Sequence, residues 1–264
     1  MTGKLRELIA WELQENWAFP VLELIVAITI IQVLPIVSFS RAIKDVSRPF
    51  WGSMVFVIAI SVAVVFGRSF GEGVERRKLV VLLSYPVSRV RVFAAKFLAN
   101  LLTTLLVFGF VLFVEGALLF MFDPGIQTPA TMGVQLSLAP TILVLMFLSL
   151  FLVVFFTGSL MTFLALAVKK FGLSILFFLV YVFGMEYWTG TVGRNVPQWY
   201  LSLDSGPNSI VCYLAAWYYN TLGVGHADFG VTLGFFLTAF CYLLVGGLVF
   251  LLASLVLMWR IDLD

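Results

Sequence analysis

Residues 67 to 96 read GRSFGEGVERRKLVVLLSYPVSRVRVFAAK and lie between two strongly apolar stretches. This basic segment (residues 67–96) carries seven of the sixteen Lys and Arg residues of the chain. Loops rich in Lys and Arg mark the cytoplasmic side of a membrane protein. The centre of the segment, Leu79 to Leu83, is apolar and would lie in water unless it contacted lipid or a partner protein. The segment therefore predicts a cytoplasmic loop that does more than connect two spans.

The composition of the 264 residues is typical of a polytopic membrane protein, since 62% are hydrophobic and 11% are charged. The net charge of +2 says little about partners, because the basic residues are sorted by loop, and nothing suggests nucleic-acid binding. Cys212 and Cys241 lack the spacing of a metal site and are interpreted as packing residues. No signal peptide is predicted, because Glu7, Glu12 and Glu15 precede the first apolar run.

Six apolar stretches have the length that a helix needs to cross the hydrocarbon core of a bilayer, about twenty residues. We predict an all-α membrane protein that forms a single transmembrane domain. The predicted spans are residues 19–39, 50–67, 97–121, 136–168, 171–187 and 229–259. The fourth stretch exceeds the bilayer thickness but is too short for two spans and a turn, so we predict one helix there.

The distribution of basic residues predicts the orientation of the chain. The side that holds the N-terminus and the loop at residues 68–96 has twelve Lys and Arg residues, whereas the other side has four. Both termini are therefore predicted to be cytoplasmic, in a multi-pass protein of the cell membrane. The first outer loop is an exception, because its three basic residues outnumber the two before the first span.

Two segments fit neither a span nor a plain loop. Residues 1–18 predict an interfacial helix, although Arg6 and Glu12 interrupt its apolar stripe. Residues 190–228, broken by Pro197 and Pro207, predict either an outer re-entrant hairpin before the sixth span or an ordinary loop flanked by aromatic residues. The apolar positions of the interfacial helix are Leu5, Leu8, Ile9, Leu13 and Trp17.

Small residues inside the predicted spans allow close contact between helices or bending of a helix. Gly158 is followed by Ser159, and Gly246 is followed by Gly247. We expect neighbouring helices to approach one another at these positions.

Several catalytic signatures are absent from the sequence. No G-x-x-x-x-G-K-[ST] phosphate-binding loop occurs, no G-x-S-x-G turn presents a nucleophilic serine, and His226 is the single histidine. No cluster of His, Cys and Glu has the spacing of a metal site. We therefore predict that the chain is not an enzyme, with no catalytic, cofactor-binding or metal-binding residues.

The basic segment resembles the permease subunit of type-2 ATP-binding-cassette (ABC) transporters. In that family the corresponding stretch commonly reads E-x-G-T-L-x-x-L-L-x-x-P-x-S-R, with a lysine at the start of the third span. Arg77 and Lys78 replace the Gly-Thr pair, so a turn that the glycine would provide must be made differently. Together with the six spans, the interfacial helix and the re-entrant piece, the resemblance covers essentially the whole chain. The matching residues are Glu75, Leu79, Leu82, Leu83, Pro86, Ser88, Arg89 and Lys96.

The resemblance implies a cytoplasmic coupling helix between the second and third spans that contacts a cytosolic ATPase subunit. Pro86 would end this helix, because proline cannot continue one and the residue before it disfavours helical backbone. The implied contact residues are Glu75, Leu79, Leu82, Leu83, Tyr85, Pro86, Ser88 and Arg89.

The resemblance also implies the rest of the assembly. ATP and magnesium would bind the partner subunit, and a second permease half, identical or not, would complete a dimeric translocation pathway in membrane lipid. We expect the direction of transport to be export. Glu115, in the third predicted span, is a candidate residue for the pathway or its gating, or a structural ion-pair partner.

Three alternatives stay open at this point. The basic residues could neutralise anionic lipid headgroups, with the leucines in the membrane interface. The protein could be a proton- or ion-coupled secondary carrier that uses Glu115 or Glu23. It could also be a membrane scaffold that recruits soluble partners without transporting anything.

Overall fold

The structure, a computed structural model, describes residues 2–18, 59–84, 87–122, 129–192 and 233–261. These ranges are helical with short connections and contain no β-strand, which confirms the all-α prediction for the described residues. Helix α2 runs from residue 59 to residue 75. The other helices are α1 (Thr2–Ala18), α3 (Lys78–Ser84), α4 (Arg89–Phe122), α5 (Pro129–Val168), α6 (Phe171–Val192) and α7 (Leu233–Trp259).

Three stretches of the described helices are long and apolar enough to cross a membrane, and a fourth is apolar but shorter. Helix α7 has an exposed apolar surface, on which Val245, Val249 and Leu252 are each more than half exposed. A continuous apolar surface of this kind suits contact with lipid or another membrane helix. The three long stretches are Arg89–Val107, Phe151–Val168 and Phe240–Trp259, and the shorter one is Phe171–Gly184.

Some sequence predictions fall outside the described residues. These are the first span at 19–39, the part of the second span before residue 59, and the outer hairpin from residue 193 onward.

Residues 129–168 form one continuous helix, whereas the sequence predicts a single helix over residues 136–168. Its 40 residues exceed the length of about 20 that a bilayer requires. The helix ends at Val168, where Lys169 and Lys170 interrupt the apolar run. Lys169 adopts a left-handed φ of 59°, and its N–H donates to the carbonyl of Ala165 at 3.1 Å. This left-handed C-terminal cap reverses the chain within two residues, so that α6 starts at Phe171.

Helix α5 lies at the centre of the bundle and contacts α2, α4, α6 and α7. Aromatic rings fill its contact with α2 and α4. The ring centroids of Phe66 and Phe97 are 5.5 Å apart and those of Phe97 and Phe155 are 6.0 Å apart, both edge to face. Phe93 and Phe70, which belong to the basic segment, extend this cluster. Such ring pairs add directional attraction to apolar burial, so they fix the end of α2 on which the basic segment begins.

Two glycines permit the tight helix contacts in this bundle. A Cβ at Gly158 would lie 2.6 Å from the Phe66 ring, and a Cβ at Gly247 would lie 2.6 Å from the Phe155 ring. Both distances are shorter than side chains tolerate, so the rings occupy the space that glycine leaves free. The predicted close approach of helices at these positions is confirmed.

Four hydroxyl side chains inside the apolar helices bond to the backbone of their own helix. The hydroxyls of Thr104, Thr157, Thr162 and Ser254 each donate to the carbonyl four residues earlier, at 2.7 to 2.8 Å. These bonds satisfy the hydroxyl groups where water is excluded.

Candidate functional site

Helix α3 forms the centre of the candidate site, and its leucine face packs against the rest of the chain. Leu79 is fully buried and Leu83 is 6% exposed, and the helix packs against the end of α2 and the start of α4. Leu82 is partly buried, whereas Val81 is 57% exposed. The sequence assigned the apolar run to lipid or a partner protein, but Leu79 and Leu83 pack within this chain. The exposed face of α3 is therefore distinct from its leucine face.

The turn into α3 depends on Arg77. This residue adopts a left-handed φ of 57°, and its N–H donates to the carbonyl of Val74 at 3.0 Å. Its own carbonyl accepts the N–H of Val81 at 3.0 Å. Glycine adopts this backbone conformation more readily than other residues. Arg77 occupies the position where the pattern of type-2 ABC permeases, which the basic segment resembles, has glycine, and it makes the turn in that conformation. Arg76, Arg77 and Lys78 are all exposed beside the turn.

A π-helical turn, Gly67–Glu72, lies in α2 just before this point. Single π turns inside α-helices recur at functional sites. Phe70 and Gly71 are buried here, and a Cβ at Gly71 would lie 3.3 Å from the Cα of Phe171. The end of α2 therefore packs closely against the beginning of α6. No sequence signal singled out this turn.

Glu75 caps helix α6. Its Oε2 accepts the backbone N–H of Phe171 at 2.9 Å, across 96 positions of sequence. The first N–H groups of a helix have no partner within the helix, and the helix dipole favours a negative charge there. Among the described residues Glu75 makes no ion pair, unlike Glu72, whose carboxylate lies 3.4 Å from Arg68 and 3.0 Å from Arg76.

Arg89 caps the C-terminal end of helix α7. Its Nη1 donates to the carbonyl of Trp259 at 2.7 Å and to that of Ile261 at 3.1 Å, with a longer contact to Met258 at 3.4 Å. These carbonyls belong to the last turn of α7 and the residues after it. A guanidinium there satisfies open carbonyl groups and is attracted by the negative end of the helix dipole.

The remaining predicted contact residues are placed as follows. Ser88 is exposed, and its carbonyl accepts the first helical N–H groups of α4, from Arg91 at 2.9 Å and Val92 at 3.2 Å. Tyr85 and Pro86 lie outside the described residues. Glu115 is within α4, but its side chain lies outside the described part of the structure.

Helix α1 is fixed to the start of α4 by polar contacts that the sequence did not predict. Glu12 and Lys96 form an ion pair at 2.5 Å, with side chains that are 3% and 9% exposed. Burial raises the pKa of Glu12, and the Lys96 ammonium offsets part of that effect. The Asn16 amide donates to Asn100 at 2.9 Å. Glu12 breaks the apolar stripe of α1 in the sequence, and the structure shows that it is buried and paired with Lys96.

A cavity of about 460 Å³ lies between α1, the end of α2 and α3. Its charged lining is nearly balanced, because each acidic residue there has a basic neighbour. Within the described ranges, no group of three or more His, Cys, Asp or Glu side chains could hold a metal ion. The charged lining residues are Glu12, Glu15, Arg68, Glu72, Arg76, Lys78 and Lys96.

Comparison with known proteins gives no match for this chain, either to a protein family model or to a curated protein.

Proposed function

We propose that the chain is the membrane-spanning permease subunit of a type-2 ABC transporter, powered by a separate ATP-binding subunit. The observation that carries the proposal is helix α3, which is anchored to α2 and α4 by two buried leucines and is exposed on its opposite side. The resemblance of the basic segment to that family supports the same assignment.

The exposed face of α3 has the chemistry of a docking surface. Val81 supplies an apolar centre, and Arg76, Arg77 and Lys78 supply positive charge beside it. A groove on a soluble ATPase with an apolar floor and an acidic rim would complement this face. In this arrangement Val81 contacts the ATPase. Leu79 and Leu83 pack against the membrane helices, so a displacement of α3 would also move those helices.

Force on α3 would move the membrane helices because the contact beneath it is close-packed. Buried side chains in dense packing deform little, so a push on a packed helix shifts its neighbours as rigid bodies. ATP and magnesium would bind and act in the partner subunit. This chain would change between closed and open arrangements without performing chemistry itself.

The proposed assembly has six spans per chain, both termini in the cytoplasm, and a second permease half beside the first in the cell membrane. The translocation pathway would lie between the two halves and carry substrate outward. Glu115 on α4 is the proposed pathway residue.

Co-purification tests the proposal. The chain is expressed with a candidate ATP-binding-cassette ATPase subunit from the same genome, and the complex is isolated through a tag on the ATPase. We expect the wild-type chain to form a stable complex and to show no ATP hydrolysis alone. Val81→Asp should reduce the recovered chain at least about tenfold, because a carboxylate would be buried in the apolar part of the contact without a partner.

Gln14→Asp is the matched control, since it places the same carboxylate at an exposed position on α1. The control should co-purify like the wild type, and both variants should elute as a single species in detergent. Equal recovery of Val81→Asp and Gln14→Asp would contradict the docking assignment. Failure of the wild-type chain to bind the ATPase would contradict the proposed function.

A further inference from the structure

Two side chains of the basic segment bond to the ends of helices that are distant in sequence. Glu75 bonds to the first residue of α6, and Arg89 bonds to the carbonyl groups at the end of α7. Glu75 closes α2, directly before the turn into α3, and Arg89 opens α4. The two bonds therefore leave from either side of α3.

We infer that Glu75 and Arg89 fasten the basic segment to α6 and α7, so that a displacement of α3 moves these two helices together with α2 and α4. The inference rests on the proposed function, because it assumes that an ATPase displaces α3. It assigns to Glu75 and Arg89 a positioning role within the chain in place of direct contact with the ATPase.

The chemistry of the two bonds suits this role. Each joins a full charge to backbone groups that the helix itself leaves without a partner. Charge-assisted hydrogen bonds are roughly twice as strong as neutral ones, and both charges have the sign that the helix dipole favours. Within the described ranges neither Glu75 nor Arg89 forms an ion pair that would compete for its charge.

Packing supports the link to α6 in particular. Gly71 of the π turn lies against the backbone of Phe171, the residue whose N–H Glu75 binds. Ser174, one turn further along α6, has its hydroxyl oxygen 3.4 Å from the position of a Cβ at Gly71. The end of α2 and the first turn of α6 are thus held by contact and by a hydrogen bond at the same place.

Distances between spin labels test the inference in the complex of the chain with its ATPase. Cys212 and Cys241 are replaced by Ser, and labels are placed at the exposed positions Val90 and Leu173, or Val90 and Trp259. Val90 lies at the start of α4, next to α3, and outside the proposed ATPase contact. Distances are measured without nucleotide and with ATP trapped by vanadate. In the otherwise unchanged chain, both distances should differ by less than about 2 Å between the two states, as expected of helices that move together.

Removal of one bond should release one helix only. In Glu75→Ala the distance from position 90 to 173 should change by more than about 2 Å on trapping, while the distance from 90 to 259 is preserved. Arg89→Ala should show the reverse. Glu75→Gln keeps an acceptor oxygen for the Phe171 amide and should behave like the unchanged chain, and Glu72→Ala is the control for loss of a nearby carboxylate.

Each outcome decides the inference. An intact Glu75→Ala complex with unchanged distances would overturn it while leaving the proposed function standing. If the unchanged chain forms no complex with the ATPase, the proposed function fails and the inference fails with it. Should Glu75→Ala not assemble, Glu75→Asp takes its place, because its carboxylate is one methylene too short for the bond, and the same distance change is expected.

Discussion

At the scale of single residues, Arg77 shows how this chain departs from the pattern of the family that its basic segment resembles. It holds a left-handed conformation that costs a residue with a side chain about 1 to 2 kcal/mol relative to right-handed backbone. The sequence indicated that the turn had to be made without glycine, but it could not show that Arg77 itself would adopt the glycine conformation.

Arg77→Gly should therefore stabilise the protein. We expect the free energy of unfolding to rise by up to about 1 kcal/mol, because relief of the left-handed strain exceeds the extra entropy that glycine loses on folding. Thermal unfolding in detergent measures the change. Arg76→Gly is the control, since Arg76 has a φ of −89° and glycine brings no relief there. A lower stability for Arg77→Gly than for Arg76→Gly would show that the turn is not strained.

The ion pair of Glu12 with Lys96 is a second residue-scale feature, because both side chains are almost fully buried. Removal of one partner leaves an uncompensated charge and should cost about 3 to 5 kcal/mol, whereas removal of both costs far less than the sum. We expect Glu12→Leu and Lys96→Met to be strongly destabilising singly and partly compensated together. A double-mutant cycle on unfolding free energies measures the coupling.

The pair of Glu15 with Lys78 provides the control for that cycle. It joins the same helix, α1, to the basic segment at 3.5 Å, but its side chains are 39% and 56% exposed. Exposed pairs contribute at most about 1 kcal/mol. If the coupling energy of Glu12 with Lys96 is no larger than that of Glu15 with Lys78, Glu12 and Lys96 do not form a buried ion pair.

At the scale of helices, the sequence predicted the ends that chemistry marks clearly. The break between α5 and α6 was predicted at Lys169 and Lys170, because two charged residues cannot continue an apolar span. One helix was likewise predicted from the length of the apolar stretch at residues 136–168, and the helix in the structure begins earlier, at Pro129. The π turn at Gly67–Glu72 was not predicted, since it follows from tertiary packing and leaves no periodic signal in six residues.

The tight contacts of α5 give a prediction at this scale. In Gly158→Ala the added Cβ would collide with the Phe66 ring, which is buried and has little room to move. We expect a loss of about 1 to 3 kcal/mol in the free energy of unfolding, as for other overpacked cores. Urea or thermal denaturation in detergent measures it.

Gly109→Ala is the matched control, because it lies inside helix α4 and no described atom outside its own stretch of helix is within 4 Å of the added Cβ. Alanine favours helical backbone over glycine, so this variant should be neutral or more stable by up to about 1 kcal/mol. Equal stability of the two alanine variants would mean that α2 and α5 are not in close contact at Gly158.

At the scale of the whole molecule, the sequence predicted the membrane character and the short helix in the basic segment, but not how that helix is held. Hydrophobic composition and the distribution of charge depend on sums over many residues, so they can be evaluated without a structure. The Glu75 bond joins two residues that are 96 positions apart in the sequence, and the Arg89 bond joins two that are 170 positions apart. Glu12 and Lys96 are 84 positions apart. No local sequence pattern reveals contacts over such separations.

The account as a whole requires α3 to face the cytoplasm and to be covered there by an ATPase. One measurement tests both requirements, namely the labelling of Val81→Cys by a membrane-impermeant maleimide, with Cys212 and Cys241 replaced by Ser. We predict that position 81 is not labelled in intact cells and is labelled rapidly in inverted membrane vesicles. The co-expressed ATPase should protect the cysteine at position 81 from labelling in these vesicles. Labelling of position 81 from outside intact cells would contradict the account.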